Sequence, residues 1–227
     1  MADTLRPLKE LRYRIFYGAL LRRRKLVELG NRATGCSWRF CPDGLDANSV
    51  IYSGGVGRDV TFEHALVKNY GSKIVLFDPS PTGLETMALP ENKIPQFTHH
   101  AVGLAGSCGT LKFAPPKEAH EGSWFMADAN TATIEVPCVD LVTLMARNGH
   151  TRIDLLKIDI EGAEYGVLDD LLRRKLRVRQ VLVEVHHQML PGVRRSQTIR
   201  AILKMVAAGY QLLNQDGSNH SFRHKSF

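Results

Sequence analysis

The residues best suited to chemistry lie in RIDLLKIDIEGAEYGVLDDLL, positions 152–172. An apolar run from Ile153 to Ile158 carries Lys157 and meets Asp159 and Glu161. Gly162 then releases the chain into a helical pattern of Ala163, Val167, Leu168, Leu171 and Leu172. Strands that end on carboxylates and turn into helices are where open α/β sheets bind ligands, outside the carboxyl ends of the strands. Asp159 could also be no more than a helix N-cap, with Glu161 and Glu164 well placed in a first turn. A second tip of the same kind closes QVLVEV, with Glu184 near its end and His186-His187 beyond. A histidine that titrates near neutrality is a candidate proton acceptor, with Asp159 the alternative. Asp159, Glu161, Glu184 and His186 could instead gather a hard divalent cation; nothing in their spacing demands one, so no metal ligand is assigned.

Such tips need a partner site, and the sequence supplies one earlier. Ser49 to Tyr52 reads as a strand, followed at once by Ser53-Gly54-Gly55-Val56-Gly57 and a helix over residues 58–70 with Val60, Phe62, Ala65 and Leu66 on its apolar side. Lys73 to Phe77 is the next strand and ends on Asp78-Pro79. Glycines let backbone turn sharply and approach a ligand, and a new helix offers free N–H groups to an anion. An acid at the second strand tip, about 20 residues on, is the usual acceptor for a ribose diol. The simpler alternative is a tight turn followed by a surface Asp.

Strands and helices then alternate to the end. Thr82 to Leu89 is a short helix with a capping-box spacing from Thr82 to Glu85, and Gln96 to Val102 a strand. Thr110 to Phe113 and Ala132 to Val136 are short strands around a polar excursion containing Trp124, Phe125 and Asp128, an aromatic wall for a ligand or simply local packing. Val139 to Asn148 and Thr198 to Ala208 are helical, and Tyr210 to Leu213 and Ser221 to Arg223 flank an Asp216-Gly217 turn. The expected fold is α/β: a mostly parallel sheet with helices on both faces and a C-terminal antiparallel hairpin. Residues 4–29 read as one or two amphipathic helices that pack on the sheet or on a second subunit, leaving homo-oligomerisation open. Residues 35–48 read as a connector without regular structure. The domain division is therefore a basic N-terminal extension and connector, 1–47, and a main domain, 48–227.

Composition sets the outer bounds. The 227 residues are 44% hydrophobic and 23% charged, as in a soluble globular protein. No apolar run approaches the roughly 20 residues of a membrane span, and the first residues lack a secretory signal, so a cytoplasmic location is expected. Cys36, Cys41, Cys108 and Cys138 are scattered without zinc spacing and read as reduced thiols. The net charge of +7 gathers in residues 1–32 and at Arg173, Arg174, Lys175, Arg177 and Arg179, a pattern more typical of solvated helix faces than of nucleic-acid binding.

The order of elements resembles the class I S-adenosylmethionine-dependent methyltransferases, and DLLKIDIEGAEYGVLDDL resembles the signature of the FkbM family, over roughly Asn48 to Leu213. The resemblance implies a seven-stranded Rossmann-like sheet and methyl transfer from S-adenosylmethionine to a hydroxyl oxygen of a small molecule, commonly a sugar or natural product. Carried over, it implies that Ser53, Gly54, Gly55, Gly57, Asp78, Pro79 and Asp159 bind the cofactor, with Asp128 bordering the adenine. Asp159, His186 and Lys157 are the implied catalytic residues, His186 the base. Glu161, Glu184 and Trp124 would surround the acceptor. One departure stands out: the family commonly ends the first strand on an acid followed by a longer glycine loop, whereas Tyr52 and SGGVG stand here.

Three rivals are weighed. An NAD-dependent oxidoreductase needs a third glycine where Val60 stands. An RNA ribose methyltransferase would use Lys157, Asp159 and the basic N-terminus, but no aromatic–basic stacking platform is visible. A degenerate, non-catalytic binding module would explain Tyr52.

Overall fold

A computed structural model describes residues 6–115, 122–127, 134–187 and 193–227, with side chains from Leu11 onward. The chain begins with α1 (Arg6–Leu20), an antiparallel hairpin of β1 (Val27–Asn31) and β2 (Cys36–Phe40), then β3 (Val50–Gly54) and α2 (Thr61–Tyr70). β4 (Lys73–Phe77), α3 (Pro81–Ala88) and β5 (Phe97–His100) follow, then four short strands, β6 (Gly103–Leu104), β7 (Gly109–Ala114), β8 (Phe125–Met126) and β9 (Ile134–Val139). The remainder is α4 (Leu141–Arg147), β10 (Ile153–Ile158), α5 (Glu164–Arg173), β11 (Val178–Glu184), α6 (Arg195–Ala207), β12 (Tyr210–Asp216) and β13 (Asn219–His224).

Seven strands form the main sheet in the order β12-β13-β11-β10-β3-β4-β5. The five from β11 to β5 pair in parallel, and β13 lies antiparallel between β11 and β12. Parallel strands covered on both faces read as unbroken apolar runs, because both alternating sets are buried. β10 shows this. Leu155 joins a core on one face with Trp38, Phe40, Phe62 and Leu66, while Leu156 and Ile158 join one on the other face with Leu144, Val167, Leu168, Ile202 and Met205. The hairpin β1–β2 and α2 thus cover one face, and α1, α4, α5 and α6 the other.

Two N-terminal expectations fail. The helix stops at Leu20, and residues 27–40 are a hairpin, not helix and connector. Trp38 and Phe40 alternate with Ser37 and Arg39, and their burial against Phe62 of α2 outweighs the weak helical periodicity of Leu26 and Leu29. The capping box at Thr82 is also absent. Ser80 caps α3 by accepting from the Gly83 amide at 3.0 Å, and Pro81 starts the helix, where its fixed φ suits the first turn.

β7, β8 and β9, with β6, make a second sheet of four strands that stands over the carboxyl edge of the first, since Leu104, Phe113, Ile134 and Val136 line the same cavity as the strand tips. Much of the second basic group is spent within the fold: Arg174 binds Asp170 and Asp140, Arg173 binds Asp170, and Arg179 binds Asp154. All four cysteines are unpaired, and no helix among the described residues is long and apolar enough to cross a membrane.

Candidate active site

The tips of β3, β4, β10 and β11 open into one cavity of about 720 Å³. That is within the usual range of small-molecule sites. At one end the turn after β3 passes through Gly55, at φ +84°, where a Cβ would run into the Asp159 carbonyl, and Gly57, at φ +56°. Only glycine suits the first of these on both counts. Asp78, at the tip of β4, is buried and holds this turn: its Oδ2 accepts from the Val56 and Gly57 amides at 2.8 and 3.0 Å, and its Oδ1 from Ser80 at 2.8 Å. Each oxygen has a limited number of lone pairs, so Asp78 shapes the loop while Oδ1 keeps capacity for one more donor.

The other end is acidic. Asp159 does not cap α5, whose N-cap position is Ala163. Its side chain is 29% exposed, with Oδ2 4.0 Å from Lys157 Nζ and Oδ1 3.7 Å from His186 Nε2. The chain then turns through Glu161, a non-glycine at φ +53°, and Gly162. A left-handed residue other than glycine costs about 1–3 kcal/mol and persists where surrounding structure demands it. Here the turn carries the Glu161 carboxylate inward to 3.3 Å from His186 Nε2. Glu184 Oε1 lies 4.0 Å from the same nitrogen.

His186 is almost wholly buried, and its Nδ1 meets the fully buried Glu164 at 2.6 Å. A carboxylate only accepts, so Nδ1 carries the proton and Nε2 faces the acids. Glu164 also accepts from the Ile160 and Gly162 amides, which fixes its own position. Burial alone would lower the His186 pKa, but Glu164, Glu161 and Asp159 together raise it to about 9. Burial raises Glu161 to about 7, opposed by His186 and assisted by Asp159. Burial and then Asp159 raise Glu184 to about 7. At neutral pH the cluster therefore holds more protons than the same residues would in water.

Lys157 joins the two ends. Its ammonium, buried beneath Trp38 at 5.8 Å from the ring centroid, donates to the Gly55 carbonyl. Burial would lower its pKa, yet Asp159, Glu63 and other acids outweigh that and raise it, so it stays charged.

The sequence-derived residues divide clearly. Gly55, Gly57, Asp78, Pro79, Trp124, Lys157, Asp159, Glu161, Glu184 and His186 line the cavity together. Gly54 ends β3, and a Cβ there would crowd Ile160. Ser53 points elsewhere: it is buried and donates to Glu63 at 2.5 Å. Asp128 lies outside the described residues. Tyr52 is fully buried in the core, bonded to His150 at 2.9 Å, so it leaves the acid's place in the motif without a charge. Asp59, the acid that follows the glycine turn, accepts from the Thr34 hydroxyl and the Thr61 amide.

Sequence reasoning missed five residues in three places. Cys36 and Trp38 of the first hairpin line the cavity, as do Ser218 and Asn219 at the last turn, and Glu63 sits buried beneath Ser53. Glu63 was legible in principle, since it lies three residues from both Val60 and Leu66 on the apolar side of α2.

A parallel sheet with its glycine turn, second-strand acid and catalytic-type groups at one edge defines the nucleotide-cofactor class of α/β enzymes. Residues 46–212 match the FkbM methyltransferase domain, and the chain belongs to that family. A search of curated proteins returned no match. Solved structures similar to this chain include a Methanococcus jannaschii fibrillarin pre-rRNA processing protein (11% identity, 87% of this chain and 80% of that one, TM-score 0.43). Others are Aeropyrum pernix fibrillarin with natively bound S-adenosyl-L-methionine (10%, 79% and 66%, TM-score 0.40) and the N-methyltransferase NodS of Bradyrhizobium japonicum WM9 (10%, 78% and 85%, TM-score 0.41).

Proposed function

We propose that the protein moves a methyl group from S-adenosylmethionine to a hydroxyl oxygen of a small molecule, a sugar or natural product, in the cytoplasm. The residues present fit the cofactor. The turn at Gly55 lies too close to the Asp159 carbonyl to admit a Cβ, Asp78 retains an acceptor at Oδ1, and Phe77, Leu104 and Val136 supply apolar wall. When bound, the cofactor supplies a methyl carbon already activated on a sulfonium.

The chain's own residues then have three tasks. Gly55, Gly57, Asp78 and Pro79 hold the donor end. Lys157 keeps that end in register with the acids by joining the Gly55 carbonyl to Asp159. Alignment of acceptor and methyl carbon is the larger part of such catalysis, because effective concentration rises when reactants are held in line. The acid cluster receives the hydrogen bond of the acceptor hydroxyl and takes its proton as the new C–O bond forms. His186 enters this reading as the cation that holds the acids together, not as a free base, since Glu164 occupies its Nδ1.

The observation that carries the proposal is the joining of glycine turn and acid cluster on one wall, where the Asp159 amide donates to the Gly54 carbonyl at 3.1 Å. Calorimetric titration tests the donor half: S-adenosylmethionine should bind once per chain, and Gly55→Ala should weaken it at least about tenfold. An absence of binding at high protein concentration would sink the reading. Transfer of labelled methyl to a panel of polyols, amines and RNA tests the acceptor half, with labelling of polyols alone expected and labelling of RNA or amines counting against it.

A further inference from the structure

The acid cluster holds more than a proton acceptor requires. Asp159, Glu184 and His186 come from two adjacent strand tips, and each offers one ligand atom within 4.8 Å of the others. Glu161 adds an Oε2 that is buried and has no hydrogen-bond partner among the described residues. Four carboxyl groups, those of Asp159, Glu161, Glu164 and Glu184, gather around the one imidazole, with Lys157 at the edge of the cluster 4.0 Å from Asp159.

The imidazole is held as a metal ligand is held. Metal-bound histidines donate their other ring N–H to a carboxylate, which fixes tautomer and ring orientation. Glu164 does this to Nδ1 of a ring that is 4% exposed, and is itself clamped by two backbone amides. Nε2 is thereby aimed at the carboxylates of Asp159, Glu161 and Glu184, from 3.3 to 4.0 Å away. Ligands around an octahedral cation lie about 3 Å apart, given metal–oxygen distances near 2.1 Å. Closing to that spacing from separations of at most 4.8 Å falls to Asp159 and Glu184, both roughly 30% exposed, rather than to the buried His186.

We propose that Asp159, Glu184 and His186 form a divalent-cation site in the acceptor half of the cavity, the cation displacing the Nε2 proton of His186 and Glu164 orienting the histidine through Nδ1. Two carboxylate oxygens and one imidazole nitrogen suit a first-row cation such as Mn²⁺ better than Ca²⁺. Three protein ligands leave positions open to water or substrate. If the methyl-transfer reading holds, on which this role alone rests, a hydroxyl acceptor with a second oxygen beside it could chelate the cation and lose its proton more readily. Site and reaction stand apart: the cation site is tested without cofactor or acceptor.

Mn²⁺ added to chelator-treated full-length protein, followed by electron paramagnetic resonance and calorimetry, should show one site per chain. Electron spin echo should show coupling to one imidazole nitrogen. His186→Gln should remove that coupling, and Asp159→Asn or Glu184→Gln should weaken binding at least tenfold. Glu164→Gln should weaken it by 10–100-fold while the nitrogen coupling persists, as expected for an orienting residue. Circular dichroism of each variant, with Glu184→Gln as the mildest change, guards against unfolding. Wild-type protein that binds no Mn²⁺ at millimolar concentration, or whose binding survives both Asp159→Asn and His186→Gln, would overturn the proposal. Binding of S-adenosylmethionine, measured separately, would stand or fall independently.

Discussion

Two histidines, His186 and His220, are buried almost equally, at 4% and 1% exposure, yet they hold opposite charge states. His186 sits among four carboxylates and has a pKa raised to about 9. His220 sits on β13 between Phe222 and Tyr17, accepts from the Tyr17 hydroxyl at 2.8 Å and donates to the Ser218 carbonyl at 2.8 Å; burial lowers it to about 4. Burial pushes both downward. The neighbours decide the outcome, and they also separate a reactive region from a structural one: a charged cluster at the cavity, and a neutral latch that fastens α1 to the sheet.

The sharpest way to break this contrast is to remove the acid that holds the first histidine. Glu164→Ala strands a buried imidazolium and should cost about 3–5 kcal/mol in urea unfolding at pH 7; a loss below 1 kcal/mol would mean His186 is not charged there. Next comes the latch. Because its folded pKa is depressed, His220 contributes stability that is present above pH 6.5 and lost as pH falls towards about 4. That loss amounts to about 3 kcal/mol and should be missing from the acid limb of His220→Gln, measured as the difference between the two unfolding curves.

Further effects sharpen the picture. Glu161 has a raised folded pKa, so the stability of its protonated form is present below pH 4.5 and lost as pH rises through about 7. In chelator, Glu161→Gln should gain up to about 3 kcal/mol over wild type by pH 8.5 and under about 1 kcal/mol at pH 5. Tyr17→Phe should cost about 1 kcal/mol and move the acid transition upward, because Nε2 of His220 loses its donor and protonates more readily.

The contrast also shows what the sequence could tell. β4 and β10 were legible at nearly every residue, since short, mainly apolar runs ending on Asp78 and Asp159 have few other readings. Asp159, Lys157 and the Gly55 turn were legible for the same reason. Glu164 was not: at the start of a helix, an acid looks like dipole compensation until a histidine 22 residues on is found against it. Nor was the hairpin at residues 27–40, whose five-residue strands gain their stability from Phe62 and the sheet rather than from local preference. Asp78 shows a subtler gap. Its place at the strand tip was foreseen, but its hold on the Val56 and Gly57 amides depends on two loops meeting in space.

The Tyr17–His220 contact spans 203 residues of chain. At a synthesis rate of 5–20 residues per second, α1 would wait about 10–40 s for its partner strand to emerge from the ribosome. Once β11 has emerged, its edge stays bare for the roughly 35 residues that separate it from β13, about 2–7 s at the same rate. An uncovered strand of this kind invites pairing with other chains. Refolding should accordingly be slow and concentration-sensitive, with the final step being insertion of β13 beside β11 and closure of the helix over it.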